Sequence, residues 1–214
     1  MLEKLLAFFF PDTCVGCGRT GSALCAVCER NITTRPEAMP GNMGALFDYR
    51  HPMVKKAIIG LKYRSRKALA EYFGVALYRE FFKHLSRDPR KAAEGIMLVP
   101  IPAHVEGLRR RGYNHAELIA RTISACAAKD GFTMPVELLL ERNKETIHQV
   151  ATKTKRQRLE SQVGAFSARN GTRIAGKTVI LIDDVITTGA TIRAAKDALR
   201  PLGPKRILAV AAAH

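Results

Sequence analysis

The chain has 214 residues, 47% of them hydrophobic, which is enough for one medium-sized domain with a small appended module. Its 35 Lys and Arg against 19 Asp and Glu give a formal charge of +16, which favours an anionic partner such as nucleic acid, a nucleotide phosphate, an acidic protein or a membrane surface. Solvated surface residues of an ordinary basic protein account for part of that charge. No apolar run reaches the ~20 residues that a transmembrane helix needs, so we expect no membrane insertion.

The first ten residues are mostly apolar. This run is too short for a signal peptide, and no small-x-small cleavage pattern follows it. We expect a short amphipathic helix that packs on a neighbouring module. Without a leader, the protein is expected to be cytoplasmic, with its thiols reduced.

Two C-x-x-C pairs follow, Cys14 with Cys17 and Cys25 with Cys28. Two such tight turns can aim four thiolates at one ion, so the spacing favours a structural tetrahedral zinc site. Rubredoxin-like iron, two disulfides and a thioredoxin-type redox pair are the alternatives, and reduced thiols argue against the disulfides. The fifth cysteine, Cys126, lies in a predicted helix and is interpreted as a small buried hydrophobe.

Residues 31–44 are rich in Pro, Gly and Thr and are predicted to form a linker. A short strand is predicted over residues 45–49, followed by helices over residues 54–63 and about 67–85, where apolar side chains recur at helical spacing. We therefore divide the chain into an N-terminal helix and zinc knuckle, residues 1–44, and an α/β domain, residues 45–214.

A second apolar strand is predicted over residues 96–102, and a helix over about residues 116–128. Between them lie Arg109, Arg110 and Arg111, which we interpret as a basic loop suited to pyrophosphate or a nucleic-acid backbone, because guanidinium groups bind phosphate oxygens in a bidentate way. A merely solvated loop is the alternative.

A further basic segment contains Lys153, Lys155, Arg156 and Arg158 and has no strong apolar periodicity. We interpret it as a basic flap over a phosphate site, with an ordinary surface loop as the alternative. Short strands are predicted near residues 138–140, 164–166 and 207–213.

The most informative stretch covers residues 179–191, where four apolar residues precede Asp183 and Asp184 and a hydroxyl-rich turn. It predicts a buried parallel strand, then a turn at the start of a helix, which is where ligands bind in open α/β sheets. The backbone N–H groups and helix dipole of such a turn suit a phosphate, and Gly189 permits close approach. Two adjacent carboxylates can accept hydrogen bonds from vicinal hydroxyls, so the stretch predicts a site for a ribose and its 5′-phosphate.

These thirteen positions resemble the phosphoribosyl pyrophosphate signature of type I phosphoribosyltransferases. The whole layout resembles the ComF family, which joins an N-terminal Cys₄ zinc knuckle to a phosphoribosyltransferase-like domain. The resemblance runs from about residue 5 to residue 213. It is carried by the two cysteine pairs, the signature, and several shorter matches: residues 61–63, 99–102, 111–114, 140–142 and 164–166.

The resemblance implies a type I phosphoribosyltransferase-like parallel sheet flanked by helices, with a small N-terminal zinc module. It implies roles for three groups of residues: ribose binding by Asp183 and Asp184; 5′-phosphate binding by Thr187, Thr188, Gly189, Ala190 and Thr191; and a pyrophosphate-binding turn of Pro100, Ile101, Pro102 and Ala103. Mg²⁺ would bridge pyrophosphate and ribose oxygens. Arg109 and Arg111 would neutralise the leaving pyrophosphate.

Two functions follow from the resemblance. The preferred one is an adaptor in DNA uptake during natural transformation, which binds single-stranded DNA through Arg109, Arg110, Arg111 and the basic segment 153–158 and retains a pocket for phosphoribosyl pyrophosphate or a nucleotide. Its protein partners would be a DNA-uptake helicase or other competence proteins. The alternative is an active phosphoribosyltransferase that joins a nitrogenous acceptor to ribose, since fold alone does not fix function.

Overall fold

The structure is a computed structural model that describes residues 12–83, 95–143, 164–169 and 174–214. The N-terminal helix expected over the first ten residues and the basic segment 153–158 lie outside these ranges. Within them, no helix is long and apolar enough to cross a membrane.

Seven strands are present in the described ranges: β1 (Glu37–Met39), β2 (Met43–Phe47), β3 (Ile96–Pro100), β4 (Leu140–Arg142), β5 (Phe166–Ala168), β6 (Thr178–Val185) and β7 (Arg206–Ala213). Five of them form the main sheet in the order β1-β2-β7-β6-β3, and β4 pairs with β5 in a separate antiparallel ribbon. The β2–β7, β7–β6 and β6–β3 pairs are parallel, which is the sheet that the buried apolar runs predicted.

The helices are α1 (Ala26–Arg30), α2 (Pro52–Tyr63), α3 (Ala68–Leu77), α4 (Val105–Arg111), α5 (His115–Lys129) and α6 (Ala190–Leu199). Helices α2, α3 and α5 belong to the apolar core that includes Leu46, Phe73 and Ile119, whereas α6 packs in a second core that includes Leu181 and Leu199. Helices therefore cover both faces of the sheet, as expected for an α/β domain.

The segment expected to be a linker differs from that expectation. It contains β1 and the beginning of β2, which pair in an antiparallel way across a turn at Gly41 and Asn42, both with positive φ. The segment folds because the following strand pairs with β7 and buries Leu46 and Phe47 completely. Tertiary burial thus overrides the turn-rich composition.

Two other elements differ from the sequence predictions. The helix expected over residues 67–85 is α3, which ends at Leu77 and continues as a π-helical turn, Tyr78–Phe82. The three arginines lie in the last turn of α4 rather than in a loop, and α4 ends at Gly112, whose φ is +75°. A glycine in the left-handed conformation is a common helix terminator.

Candidate functional site

The site lies where β3 and β6 end together. Pro100 of β3 pairs with Ile182 of β6, so the residues after both strands emerge at the same edge of the sheet. Parallel strands place ligand sites at this carboxyl edge. A cavity of about 660 Å³ opens there, and its lining includes Ile101, Pro102 and Ala103 from the β3 side and Asp183, Asp184, Thr187 and Thr191 from the β6 side.

The two carboxylates are nearly inaccessible to solvent. Asp183 is 9% exposed and Asp184 only 2%. The Asp184 backbone N–H donates to Asp183 Oδ1 (2.9 Å), and the Val185 N–H donates to Asp184 Oδ1 (2.9 Å). The backbone of β6 therefore orients both side chains, and each retains oxygen atoms that can accept further hydrogen bonds.

Two side chains from distant helices contact Asp184. The Lys62 Nζ at the end of α2 lies 2.7 Å from Asp184 Oδ2, and the His115 Nε2 at the start of α5 lies 3.5 Å from Oδ1. The sequence did not indicate Lys62 by its chemistry, whereas it offered His115 as a candidate polar site residue, with an ordinary surface histidine as the alternative. The signal for Lys62 was its place in the ComF-like residues 61–63, and His115 follows the ComF-like residues 111–114.

The carboxylates differ in their pKa values. Burial and the charge of Asp184 raise the pKa of Asp183 well above its ordinary value. Burial also raises the pKa of Asp184, but the hydrogen bond to His115 and the charges of His115 and Lys62 outweigh it, and the net pKa is lowered. The pKa of Lys62 is raised, because Asp184 outweighs the effect of burial. Burial and the neighbouring charges therefore move the two pKa values in opposite directions, up for Asp183 and down for Asp184.

The turn after β6 leads into α6. Gly189 has φ +72°, and a Cβ there would lie 2.8 Å from the terminal methyl of Met43. The Ala190 N–H donates to Thr188 Oγ1 (3.4 Å), and Arg193 donates to the Thr188 carbonyl (2.9 Å). Thr188, Gly189 and Ala190 therefore form the turn, while Thr187 and Thr191 on either side of it line the cavity.

The three arginines of α4 occupy different environments. Arg109 is exposed and is not part of the cavity lining. Arg110 lines the cavity with its guanidinium 5.2 Å from the centre of the Tyr63 ring. Arg111 also lines it, and its Nη1 donates to the Lys62 carbonyl at the end of α2 (2.8 Å). Of the three arginines expected to bind phosphate, Arg110 and Arg111 therefore line the cavity and Arg109 does not. Arg111 also holds the end of α2.

Arg142 of β4 is a cavity residue that sequence analysis did not assign to the site. Its Nε donates to the Pro102 carbonyl (2.9 Å), and its guanidinium lies 4.8 Å from the centre of the Phe166 ring. Burial lowers its pKa, while the charge of Asp183 opposes this. The cavity as a whole is lined by four Lys or Arg side chains and three carboxylates: Lys62, Arg110, Arg111 and Arg142, with Glu106, Asp183 and Asp184. Pro100, at the end of β3, is buried behind the lining.

A second cluster lies in the N-terminal module. The sulfur atoms of Cys14, Cys17, Cys25 and Cys28 all lie within 4.8 Å of one another. The Cys17 and Cys25 sulfurs are 3.7 Å apart, close to the ~3.8 Å edge of a tetrahedron with four Zn–S bonds of about 2.3 Å. The four thiols therefore fit one tetrahedral metal ion.

Local backbone geometry builds this cluster. The Cys14 N–H donates to the Arg19 carbonyl (2.8 Å), the Gly18 N–H donates to the Cys14 carbonyl (2.9 Å), and the Cys25 N–H donates to Cys14 Sγ (3.3 Å). A Cβ at Gly16 would lie 2.6 Å from Cys28 Sγ. Burial raises the pKa of Cys14, but the backbone groups of Cys25, Cys17 and Gly16 lower it to about 6 overall. A low pKa favours the thiolate that a metal requires.

His115, Asp183 and Asp184 also bring one ligand atom each within 4.8 Å of one another. Lys62 already places a positive charge on Asp184 at this point. A metal ion there would have to compete with that ammonium.

Comparison with known proteins identifies the domain type. Residues 88–214, more than half of the chain, match the family model described as "Phosphoribosyl transferase domain". A protein named Bifunctional protein PyrR from Thermoanaerobacter sp. (strain X514) is 34% identical over 121 residues, which are 56% of this chain and 58% of that protein. A protein named Competence protein F from Haemophilus influenzae is 31% identical over 113 residues, 51% of this chain and 46% of that protein. The chain thus spans about half the length of these relatives.

Among solved structures, one titled as the allosteric regulatory enzyme of purine biosynthesis is 20% identical, covering 71% of this chain and 29% of that one, with a TM-score of 0.42. The family assignment rests on the domain match rather than on this similarity. Together with the cysteine cluster and the Competence protein F relative, the domain match confirms the resemblance and the fold class expected from the sequence.

Proposed function

Because the chain belongs to the phosphoribosyl transferase domain family, we propose that its cavity binds phosphoribosyl pyrophosphate or another ribose 5-phosphate ester, and that the protein serves DNA uptake. One observation carries the first part: two buried, oriented carboxylates, Asp183 and Asp184, lie beside a turn whose Thr187 and Thr191 face the same cavity. Carboxylates accept from a ribose diol, and the hydroxyls and helix start suit its 5′-phosphate.

The charge around the carboxylates supports a polyanionic ligand. Four cationic side chains line the cavity with three carboxylates. Ribose 5-phosphate alone would pair with few of these cationic side chains, whereas an added pyrophosphate group can pair with more of them. Mg²⁺ would be held mainly by the oxygens of the ligand, since it prefers phosphates and waters to an all-protein cage.

The pocket is tested by replacing both carboxylates with amides. Asp183→Asn/Asp184→Asn keeps an acceptor at each position but removes the charge, so binding of phosphoribosyl pyrophosphate should weaken about tenfold or more while the fold is retained. Isothermal titration calorimetry with Mg²⁺ measures this. Asp197→Asn, at an exposed carboxylate outside the cavity, is the matched control. If the double variant binds as tightly as wild type, the pocket lies elsewhere.

The second part concerns DNA. We propose that the protein binds single-stranded DNA with little sequence preference through Arg109, Arg110, Arg111 and the basic segment 153–158, which lies outside the described residues. The supporting observation is that the exposed last turn of α4 adjoins the cavity, so phosphate contacts can continue from it. The 31% identity of this chain to Competence protein F supports a role in competence. Helicase or other competence partners belong to the same proposal, as does a cytoplasmic location, where thiols stay reduced.

DNA binding is tested by salt dependence. Arg109→Ala/Arg110→Ala should weaken all single-stranded sequences about equally and reduce the log–log salt slope by about 0.7 per lost phosphate contact. Lys55→Ala/Lys56→Ala removes the same charge from exposed positions on α2 and should have a smaller effect. Fluorescence anisotropy decides the matter, and absence of binding at low ionic strength would leave the enzyme as the better function.

As an enzyme, the protein would catalyse attack by a nitrogen nucleophile on C1 of phosphoribosyl pyrophosphate. A C–N bond forms, the C1–O bond breaks with its electron pair passing to pyrophosphate, and the proton of the nucleophile passes to pyrophosphate or to water. The chain would contribute positioning and neutralisation of the leaving group. Arg110, Arg111 and Arg142 line the cavity and can provide that neutralisation.

For the cysteine cluster we propose structural zinc. The supporting observations are four thiols within 4.8 Å of one another and a sulfur–sulfur separation that fits a Zn tetrahedron. Bound zinc would stabilise the knuckle, since so small a module has little apolar core of its own.

A further inference from the structure

Lys62 has an unusual position for a charged side chain. It ends α2, and its Nζ lies 2.7 Å from Asp184 Oδ2. The lysine side chain is 26% exposed, whereas that of Asp184 is 3% exposed. The ammonium therefore approaches the buried carboxylate from the open side of the cavity, which is the side from which a ligand enters.

Two hydrogen bonds fix the backbone around Lys62. The Tyr113 hydroxyl donates to the Leu61 carbonyl (2.6 Å), and Arg111 Nη1 donates to the Lys62 carbonyl (2.8 Å). These two bonds tie the end of α2 to Arg111, the last residue of α4, and to Tyr113, which follows α4. The four-carbon stem of lysine can still rotate, so the ammonium can leave the carboxylate without movement of the helix.

A ribose diol and this ammonium compete for the same atom. Asp184 Oδ1 already accepts from the Val185 N–H and faces His115, whereas Oδ2 faces Lys62. Ribose hydroxyls are donors, so a diol that bonds to Oδ2 competes with the ammonium for the lone pairs of that oxygen. A displaced ammonium that stays in the cavity is stabilised by an anion that takes the place of Asp184 beside it.

Phosphoribosyl pyrophosphate carries such an anion next to its diol, since the pyrophosphate on C1 neighbours the hydroxyl on C2. We propose that Lys62 is a pyrophosphate-binding residue, which Asp184 holds before the ligand enters and which the ribose hydroxyls release to the pyrophosphate. This inference rests on the proposed function of the cavity. This role gives a reason for Lys62 to contact a carboxylate that is also expected to bind ribose.

The test compares two ligands that differ in the pyrophosphate, phosphoribosyl pyrophosphate and ribose 5-phosphate, both in the presence of Mg²⁺. Lys62→Met should weaken binding of the first about tenfold or more, the contribution of one charge-assisted hydrogen bond, and leave the second unchanged or tighter, because its competitor for Asp184 is gone. Lys62→Arg keeps the charge and should retain part of the preference. Lys55→Met, an exposed lysine on the same helix, is the control and should match wild type.

The outcomes separate the two proposals. Equal weakening of both ligands by Lys62→Met means that the lysine merely keeps Asp184 in place, which overturns the inference and leaves the proposed pocket standing. Unchanged binding of both ligands overturns it too. If wild type binds neither ligand, the proposed function fails and the inference fails with it. If Lys62→Met does not fold by circular dichroism, Lys62→Arg provides the test. The inference is overturned if Lys62→Arg binds phosphoribosyl pyrophosphate no more tightly than ribose 5-phosphate. It is supported if Lys62→Arg still binds phosphoribosyl pyrophosphate more tightly, but by a smaller ratio than wild type does.

Discussion

The cysteine cluster and the carboxylate cavity are assembled in opposite ways. The four cysteines lie within fifteen consecutive positions, from Cys14 to Cys28, and short backbone hydrogen bonds bring their sulfurs together. The cavity draws Lys62, Arg111, Arg142 and Asp184 from four separate elements. A local site depends on its spacing and its ion, whereas a dispersed site depends on the whole sheet and its helices.

The two regions are also joined. Arg66, after α2, donates to the Thr13 carbonyl (2.7 Å) and to Thr13 Oγ1 (3.0 Å), one residue before the first cysteine. Ala23 and Ile32 of the module belong to the same apolar core as α2. The module therefore packs on the helix whose last turn carries Lys62.

The largest expected effect is the loss of zinc from the cysteine cluster. Cys17→Ser should reduce bound zinc from one per chain to near zero, because a structural zinc site provides on the order of 10 kcal/mol of binding free energy. The N-terminal module should become sensitive to protease while the α/β domain stays folded. Elemental analysis and limited proteolysis measure this. Cys126→Ser, outside the cluster, should keep the metal, and a wild-type protein that holds iron or no metal would contradict the zinc proposal.

A smaller change strains the cluster without removing a ligand. Gly16→Ala places a Cβ 2.6 Å from Cys28 Sγ, which is closer than a van der Waals contact, so the sulfur must shift. Zinc should pass to a competing chelator severalfold faster than from wild type. Val27→Ala changes an exposed side chain in the same module and should leave the rate unaltered. Equal rates for Gly16→Ala and wild type would mean that the cluster tolerates the extra methyl.

The junction between the regions is tested by Arg66→Met. It removes two hydrogen bonds to Thr13 and should lower the free energy of unfolding by about 1–3 kcal/mol. Chemical denaturation measures this loss. Arg64→Met, at the exposed neighbouring arginine, should cost less. If the two variants lose equal stability, the bonds to Thr13 do not join the module to α2.

The smallest expected effect concerns how the stability of the folded protein depends on pH through Asp183. Its pKa in the folded protein is raised by burial and by Asp184, so its contribution to stability is fully present below the unfolded pKa and is lost as pH rises through the folded pKa. Asp183→Asn has an uncharged side chain at every pH, as protonated Asp183 has, so this variant does not lose that stability as pH rises. Its melting temperature should exceed that of wild type by about 3 °C at pH 8, and the difference should shrink towards pH 4.

Thermal melts across this pH range check the prediction. Asp12→Asn removes an exposed carboxylate and reports the general effect of losing one negative charge. A difference that stays constant with pH, or that grows as the solution becomes acidic, would contradict a raised pKa of Asp183.

Much of the site could be predicted because its pattern is contiguous. The apolar run before Asp183 and Asp184 predicted β6, the turn and α6, and the C-x-x-C spacing predicted the sulfur cluster. The linker interpretation failed, because the Pro- and Gly-rich segment holds β1 and the start of β2. Local composition could not show that β2 would be stabilised by burial against β7.

The sequence by itself determined the elements whose signals are local: the buried strand with its carboxylates, the turn after it and the four-cysteine module. Only the tertiary structure decided that Lys62 and His115 contact Asp184, that Arg142 reaches the Pro102 carbonyl, and that Arg111 holds the end of α2. These partners are far apart in the chain, and their charges meet only because parallel strands open at one edge and the helices pack around it. The pKa values of the two carboxylates depend on that burial and those partners, which adjacent residues in a sequence do not specify.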